Sequence, residues 1–117
     1  LYYAHFDDPD TPLKESVEAM SSLVDAGKVR AIGISNYSAD RIHEWLQICD
    51  KAGFHRPVAL QPQYSLVERD IEEKLLPTAR AERLGVMPYY ALARGFLTGK
   101  YNGNASIDSP RASAAAG

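Results

Sequence analysis

Short apolar runs and longer stripes at helical spacing take turns along this chain. Residues 1–6 read as a buried strand, with Leu1, Tyr2, Tyr3 and Ala4 leading to His5 and Phe6 at its end. Asp7-Asp8-Pro9-Asp10 marks a turn, and Thr11-Pro12 a helix start with Thr11 as N-cap and Pro12 at the first helical position. Leu13, Val17, Met20, Leu23 and Val24 then form one apolar stripe that stops at Ala26-Gly27. Residues 29–34 are apolar, β-favouring and too short for a helix, and the polar pair Ser35-Asn36 ends them. Ser38 caps a second helix whose stripe is Ile42, Trp45, Leu46 and Cys49 and whose stop is Gly53. A third strand covers residues 58–61 and is stopped by Pro62; residues 63–68 are a loop offering Tyr64 and Leu66 for packing. A third helix spans residues 69–83 with Ile71, Leu75, Leu76 and Ala79 apolar, and Pro77 inside it kinks or splits it. Residues 85–89 form the fourth strand, and a long loop follows from Tyr90. Residues 102–117, rich in Gly, Ser, Ala and Asn, read as a flexible tail.

The four strands begin near residues 1, 29, 57 and 85, a period of about 28 residues without residue-by-residue repetition. Strands that alternate with helices imply an α/β fold with a parallel sheet and right-handed crossovers. A doubly wound sheet and a (β/α)₈ barrel both satisfy that pattern. A closed barrel takes about 250 residues, so four βα units amount to half of one.

Composition narrows the function classes. The 117 residues are 45% hydrophobic and 24% charged, as expected of one globular unit. A formal net charge of -2 gives no basic field for nucleic acid. No apolar run approaches the roughly 18 residues of a membrane span, and the N-terminus lacks a signal-peptide charge pattern. The single cysteine, Cys49, excludes an internal disulfide and a cysteine-rich zinc site, which suits a reducing, cytoplasmic compartment.

The candidate chemistry is positional. His5, Ser35 with Asn36, Gln61 and Tyr89 fall at the C-terminal ends of the four strands, the edge where parallel α/β folds collect ligands and catalytic groups. Each residue alone also reads as a capped turn or a satisfied polar group; four at one rim favour a site. The stretch Gly95-Phe96-Leu97-Thr98-Gly99-Lys100-Tyr101 has too few residues between its glycines for a P-loop, and Tyr101 stands where a hydroxyl must bind magnesium. Asp7, Asp8 and Asp10 fit turn and helix-start chemistry better than a metal site. His43 and His55 lack ligand spacing and read as surface residues, whereas Trp45 and Cys49 read as core. Lys100 suits either a phosphate or solvent.

Four stretches together carry a family resemblance: Tyr2-Tyr3-Ala4-His5, Gly27 through Tyr37 (GKVRAIGISNY), Gln61-Pro62-Gln63-Tyr64-Ser65-Leu66, and Pro88 through Tyr101 (PYYALARGFLTGKY). In this order, over nearly the whole chain, the sequence resembles the aldo-keto reductase superfamily, in the bacterial and plant branch with a long loop after the seventh strand. The resemblance implies a partial (β/α)₈ TIM barrel covering strands four to seven, a single domain over residues 1–117, and NADPH bound extended across the C-terminal rim. It makes His5 the catalytic histidine that hydrogen-bonds a substrate carbonyl. Ser35, Asn36 and Gln61 become the groups that hold the nicotinamide carboxamide, and Tyr89 the aromatic on which the nicotinamide stacks. The following loop, with Tyr90, Leu92, Arg94, Gly95, Leu97 and Lys100, becomes the segment over the cofactor pyrophosphate. The implied partner is a small-molecule aldehyde or ketone.

The pattern departs from the family at Ala91, where many relatives carry Ser or Pro, and at Arg94, where many carry a small or amide residue. The family's general-acid tyrosine and the lysine and aspartate that tune it come from the first three strands, which this chain does not hold. Two function classes therefore stand: a segment of an NADPH-dependent carbonyl reductase, and a non-catalytic, cofactor-sensing relative like the potassium-channel β-subunits. An inactive truncated product is a third. Open sheet edges call for the remaining barrel segments or a homo-oligomer partner to cover them.

Overall fold

The computed structural model describes residues 1–101 and Pro110. The tail expected over residues 102–117 lies, apart from Pro110, outside the described residues. Four strands alternate with three helices: β1 (Tyr2–Ala4), α1 (Leu13–Asp25), β2 (Ile32–Ile34), α2 (Ala39–Ala52), β3 (Ala59–Leu60), α3 (Leu75–Ala81) and β4 (Gly85–Val86). The strands form one parallel sheet, as the βα alternation requires, and their sequential order β1-β2-β3-β4 is that of a barrel rather than of a doubly wound sheet.

The helices cover one face. Ile32, Ile34 and Leu60 from the sheet are buried with Leu13 and Val17 of α1, Ile42, Trp45, Leu46 and Cys49 of α2, and Ala79 of α3. Trp45 is fully buried and packs its ring edge-on to Tyr37, with centroids 5.5 Å apart. Met20, Val24 and Leu75 are partly buried against this core. Ser21, which the apolar stripe does not single out, is buried too, and its hydroxyl accepts the His55 N–H at 3.0 Å.

Helix ends explain where the strands begin. Gly27, at φ 71°, follows the last turn of α1, and Lys28 and Val29 both turn their N–H back to the Leu23 carbonyl. That closure takes residues 28 and 29 out of the ladder, so β2 is shorter than the apolar run 29–34 suggests. Ser38 caps α2 as expected, its hydroxyl accepting the Arg41 N–H at 3.2 Å, and Gly53 ends it in the left-handed region.

Two local expectations are corrected and a third is sharpened. Thr11 does not cap α1: its hydroxyl donates to Asp8 Oδ2 at 2.7 Å, beside the Asp10 N–H on Asp8 Oδ1, and Pro12 takes the cap position instead of the first helical one. The charge-assisted bond to Asp8 points the Thr11 hydroxyl into its own turn, and no N–H of the first helical turn donates to its oxygen. The helix expected over residues 69–83 is split, as Pro77 within it predicts, into a 3₁₀ turn, Asp70–Glu72, and α3, with the break before Leu75 rather than at Pro77. Pro77 is the third residue of α3, where a missing N–H costs nothing, and its ring would strike the Glu73 carbonyl of a continuous helix. The fourth strand, expected over 85–89, keeps ladder pairing only at Gly85–Val86, and the chain pairs again at a single bridge between Gln63 and Tyr89. Pro88 has no N–H to give between them. The loop from Tyr90 contains 3₁₀ turns over Ala93–Thr98, broken at Arg94 and Gly95.

Candidate functional site

The C-terminal ends of the strands sit side by side because the ladder continues through their carbonyls. Ala4 accepts the Ser35 N–H, Ile34 accepts the Gln61 N–H, and Leu60 accepts the Met87 N–H, at 2.8–2.9 Å. His5, Ser35 and Gln61 are thus placed next to one another by parallel pairing. Tyr89 reaches the same rim because its N–H donates to the Pro62 carbonyl at 2.9 Å.

Asn36 is the centre of the rim. Its backbone lies in the left-handed region at φ 57°, which asparagine tolerates better than most side chains. From there Nδ2 donates to the His5 carbonyl at 2.8 Å and to Ser35 Oγ at 3.1 Å, while Oδ1 accepts the Tyr89 hydroxyl at 2.7 Å. Ser35, only 2% exposed, donates its hydroxyl to the Gln61 carbonyl at 2.7 Å. The side chains of Ser35, Asn36 and Tyr89 are therefore joined into one hydrogen-bonded group, and His5 and Gln61 join it through their main-chain carbonyls. Neither the His5 ring nitrogens nor the Gln61 carboxamide finds a hydrogen-bond partner among the described residues, and both side chains are accessible. The His5 ring leans on Phe6 at 4.3 Å.

Tyr89 also connects the rim to the loop after β4, through an edge-on contact with Tyr90 at 5.1 Å. Arg94 lies over the other side of that pair, its guanidinium carbon 4.7 Å from the Tyr90 ring centre. Tyr90, Ala93, Arg94 and Gly95 all have positive φ, so the loop is tightly wound, with Gly95 and Leu97 both donating to the Leu92 carbonyl. Leu92 is exposed, Gly95 and Leu97 are partly buried, and none of the three bonds to the Asn36 group. Lys100 lies over Tyr101, its Nζ 5.3 Å from the ring centre.

One feature of the rim has no local sequence signal. Arg41 Nε and Nη2 fork onto the two Asp7 oxygens at 2.7 and 2.8 Å, although 34 residues separate the partners. The guanidinium holds the Asp7 carboxyl below the ordinary aspartate range, and the carboxylates of Asp7 and Glu44 raise Arg41 further above its own. Burial pushes the Tyr37 phenol up, and nearby Asp7 adds to that shift.

A parallel βα sheet with its polar residues gathered at the C-terminal edge defines a class, and the comparisons agree on which. The Aldo/keto reductase family model matches residues 1–116, so the chain belongs to that family, whose members are oxidoreductases acting on carbonyls with nicotinamide cofactors. It is similar to the aldo-keto reductase YhdN of Bacillus subtilis, 42% identical over 100 residues, and to a probable aldo-keto reductase of Glycine max, 41% identical over 100 residues. Each alignment covers 86% of this chain, and 28% and 27% of those proteins, so the chain spans less than a third of the length of these relatives. Among solved structures it resembles a glycerol dehydrogenase of Gluconobacter oxydans, with TM-score 0.80 and 33% identity over 93% of this chain and 32% of that one. It also resembles an aldo/keto reductase of Klebsiella pneumoniae in complex with NADP and acetate, with TM-score 0.73 and 34% identity over 85% of this chain and 34% of that one. The four βα units are thus part of a (β/α)₈ barrel.

Proposed function

We propose that this chain is the segment of an NADPH-dependent carbonyl reductase that carries the substrate-orienting histidine and the nicotinamide end of the cofactor site. The observation that supports it most is the single hydrogen-bonded group formed by Ser35, Asn36, Gln61 and Tyr89 beside His5. After the intrachain bonds are counted, Ser35 Oγ and Asn36 Oδ1 each keep an acceptor lone pair, and Gln61 keeps its amide donors. A primary carboxamide needs acceptors for two N–H and a donor for one C=O, so the donor set fits it. NADPH supplies the hydride when bound; the chain's part is to hold the carboxamide and present the Tyr89 ring for stacking. His5, whose ring nitrogens have no partner among the described residues, donates to the carbonyl oxygen as negative charge grows there. Tyr90, Leu92, Arg94, Gly95, Leu97 and Lys100 line the pyrophosphate in this reading, Arg94 supplying a cation.

The substrate class is a small aldehyde or ketone, and the buried thiol of Cys49 suits a reducing, cytoplasmic setting. The remaining barrel segments or a homo-oligomer partner would pair the outer edges of β1 and β4. The test is His5→Ala in the full-length reductase. Turnover falls by about 10²–10³-fold while the NADPH dissociation constant, read by cofactor fluorescence, stays put. Equal losses in both would contradict the assigned role.

A further inference from the structure

The loop between β1 and α1 carries two adjacent carboxylates with different duties. Asp8 closes a turn within its own loop, through Thr11 and the Asp10 N–H. Asp7 crosses instead to α2, where the planar Arg41 fork meets both its oxygens. Arg41 is itself held in place: its N–H donates to the Ser38 cap and its Nη1 to Glu44 at 2.9 Å. The pair is mostly shielded, with side chains 28% and 25% exposed, unlike the surface ion pairs of Arg69 and His55.

His5 lies two residues before Asp7, and its ring leans on Phe6, itself 63% exposed. Among the described residues no hydrogen bond aims the imidazole, so its direction depends on the backbone on either side. The β2–α2 segment grips that backbone twice, through Asn36 Nδ2 on the His5 carbonyl and through Arg41 on Asp7.

We propose that Asp7 and Arg41 are positioning residues, whose ion pair fixes the main chain from His5 to Asp7 against the β2–α2 segment and so sets the direction of the His5 imidazole relative to Asn36 and Tyr89. Its catalytic consequence rests on the reductase reading; its structural content does not. The experiment is performed on the intact protein, isotope-labelled at histidine and tryptophan, with the His5 ring and Trp45 indole signals assigned by His5→Gln and Trp45→Phe. In Asp7→Asn and Arg41→Ala the His5 ring signals shift and broaden while the Trp45 indole signal stays in place. Millimolar guanidinium restores the His5 signals of Arg41→Ala, and sodium chloride at the same ionic strength does not. Where Arg41→Ala loses the Trp45 signal, Arg41→Lys is read in its place, because lysine keeps the charge and loses the fork. The same variants lower kcat for carbonyl reduction by about 10- to 100-fold with KM for the cofactor unchanged. His5 signals identical in wild type and variants would overturn the proposal. A wild-type protein that reduces no carbonyl would remove the reductase reading alone, and the spectra would still decide the clamp.

Discussion

Across the sheet, the register sets Ala4, Ile34, Leu60 and Val86 in one row and Tyr3, Gly33, Ala59 and Gly85 in the next. Side chains of neighbouring rows point to opposite faces. The first row belongs to the helix-covered core, where bulky side chains interdigitate with Trp45 and Ile42. The second holds one large residue and three of the smallest. Tyr3 lies across its neighbours, a Cβ on Gly33 would collide with its ring, and its hydroxyl reaches Met87 Sδ on the far strand at 3.0 Å. One face is tight because volume was added; the other is tight because volume was removed to admit a single ring.

The largest expected effect therefore comes from emptying the helix face. Trp45→Ala removes a fully buried side chain that the surrounding helices cannot collapse to replace, and costs about 3–5 kcal/mol. On the other face the costly change runs in the opposite direction: Gly33→Ala adds a single methyl and costs about 1–3 kcal/mol by overpacking. Urea unfolding of the two variants measures both. The sharper test is a double-mutant cycle, because Tyr3→Ala should relieve the Gly33→Ala penalty and leave the Trp45→Ala penalty unchanged. Additivity of the Tyr3 and Gly33 changes would break the comparison between the faces.

That contrast marks what the sequence made legible. The helix face was readable because its residues recur at helical spacing, so Leu13, Val17, Ile42, Trp45, Leu46 and Cys49 were all identifiable as core. Parallel pairing and the rim residues followed from the βα alternation, which puts every strand end on one edge, whereas the sequential strand order did not, because a doubly wound sheet satisfies the same alternation. The opposite face was not readable, because nothing local says that Gly33 faces a ring thirty positions away; only the register shows it. The same holds for the Asp7–Arg41 pair and for Tyr89 reaching Asn36. The motifs carried the identities of the rim residues, while the bonds among them depend on pairing that short windows do not contain. Thr11 failed as a cap for a local reason, since its hydroxyl is turned toward Asp8 three residues earlier and Pro12 takes the cap position.

The rim joins the two faces, and a smaller effect is expected there. Asn36→Ala leaves a left-handed backbone without the side chain that tolerates it and strands the His5 carbonyl and the Tyr89 hydroxyl. The site is partly exposed, so water replaces part of what is lost, and the cost is about 1–2 kcal/mol. Asn36→Gly keeps the backbone and loses only the hydrogen bonds. Comparison of the two by urea unfolding separates strain from bonding, and on the proposed reductase reading both variants bind NADPH more weakly than wild type. Wild-type affinity in either variant would remove Asn36 from the carboxamide site.

The smallest effect is a pH dependence at the Asp7–Arg41 pair. The Arg41 hydrogen bonds are the first cause of the lowered Asp7 pKa, and the unfolded chain returns that carboxyl to the ordinary aspartate value of 3.8. A carboxyl whose folded pKa is depressed contributes stability that is fully present above 3.8 and is lost as the pH falls through the lower folded value. Asp8 is lowered as well, by Thr11 and Asp10, so an acid limb in the wild type alone would not identify Asp7. The difference between wild type and Asp7→Asn isolates it, because Asp8 titrates in both. That difference, followed by urea midpoints between about pH 6 and about pH 2, should be constant at the upper end and shrink steadily below the aspartate value. Salt should reduce it only modestly, since the fork is partly shielded from solvent and the oppositely charged atoms are in contact. A difference that stays flat to the lowest pH would mean that the fork seen between β1 and α2 does not persist in solution, and the rim would then owe its order to Asn36 alone.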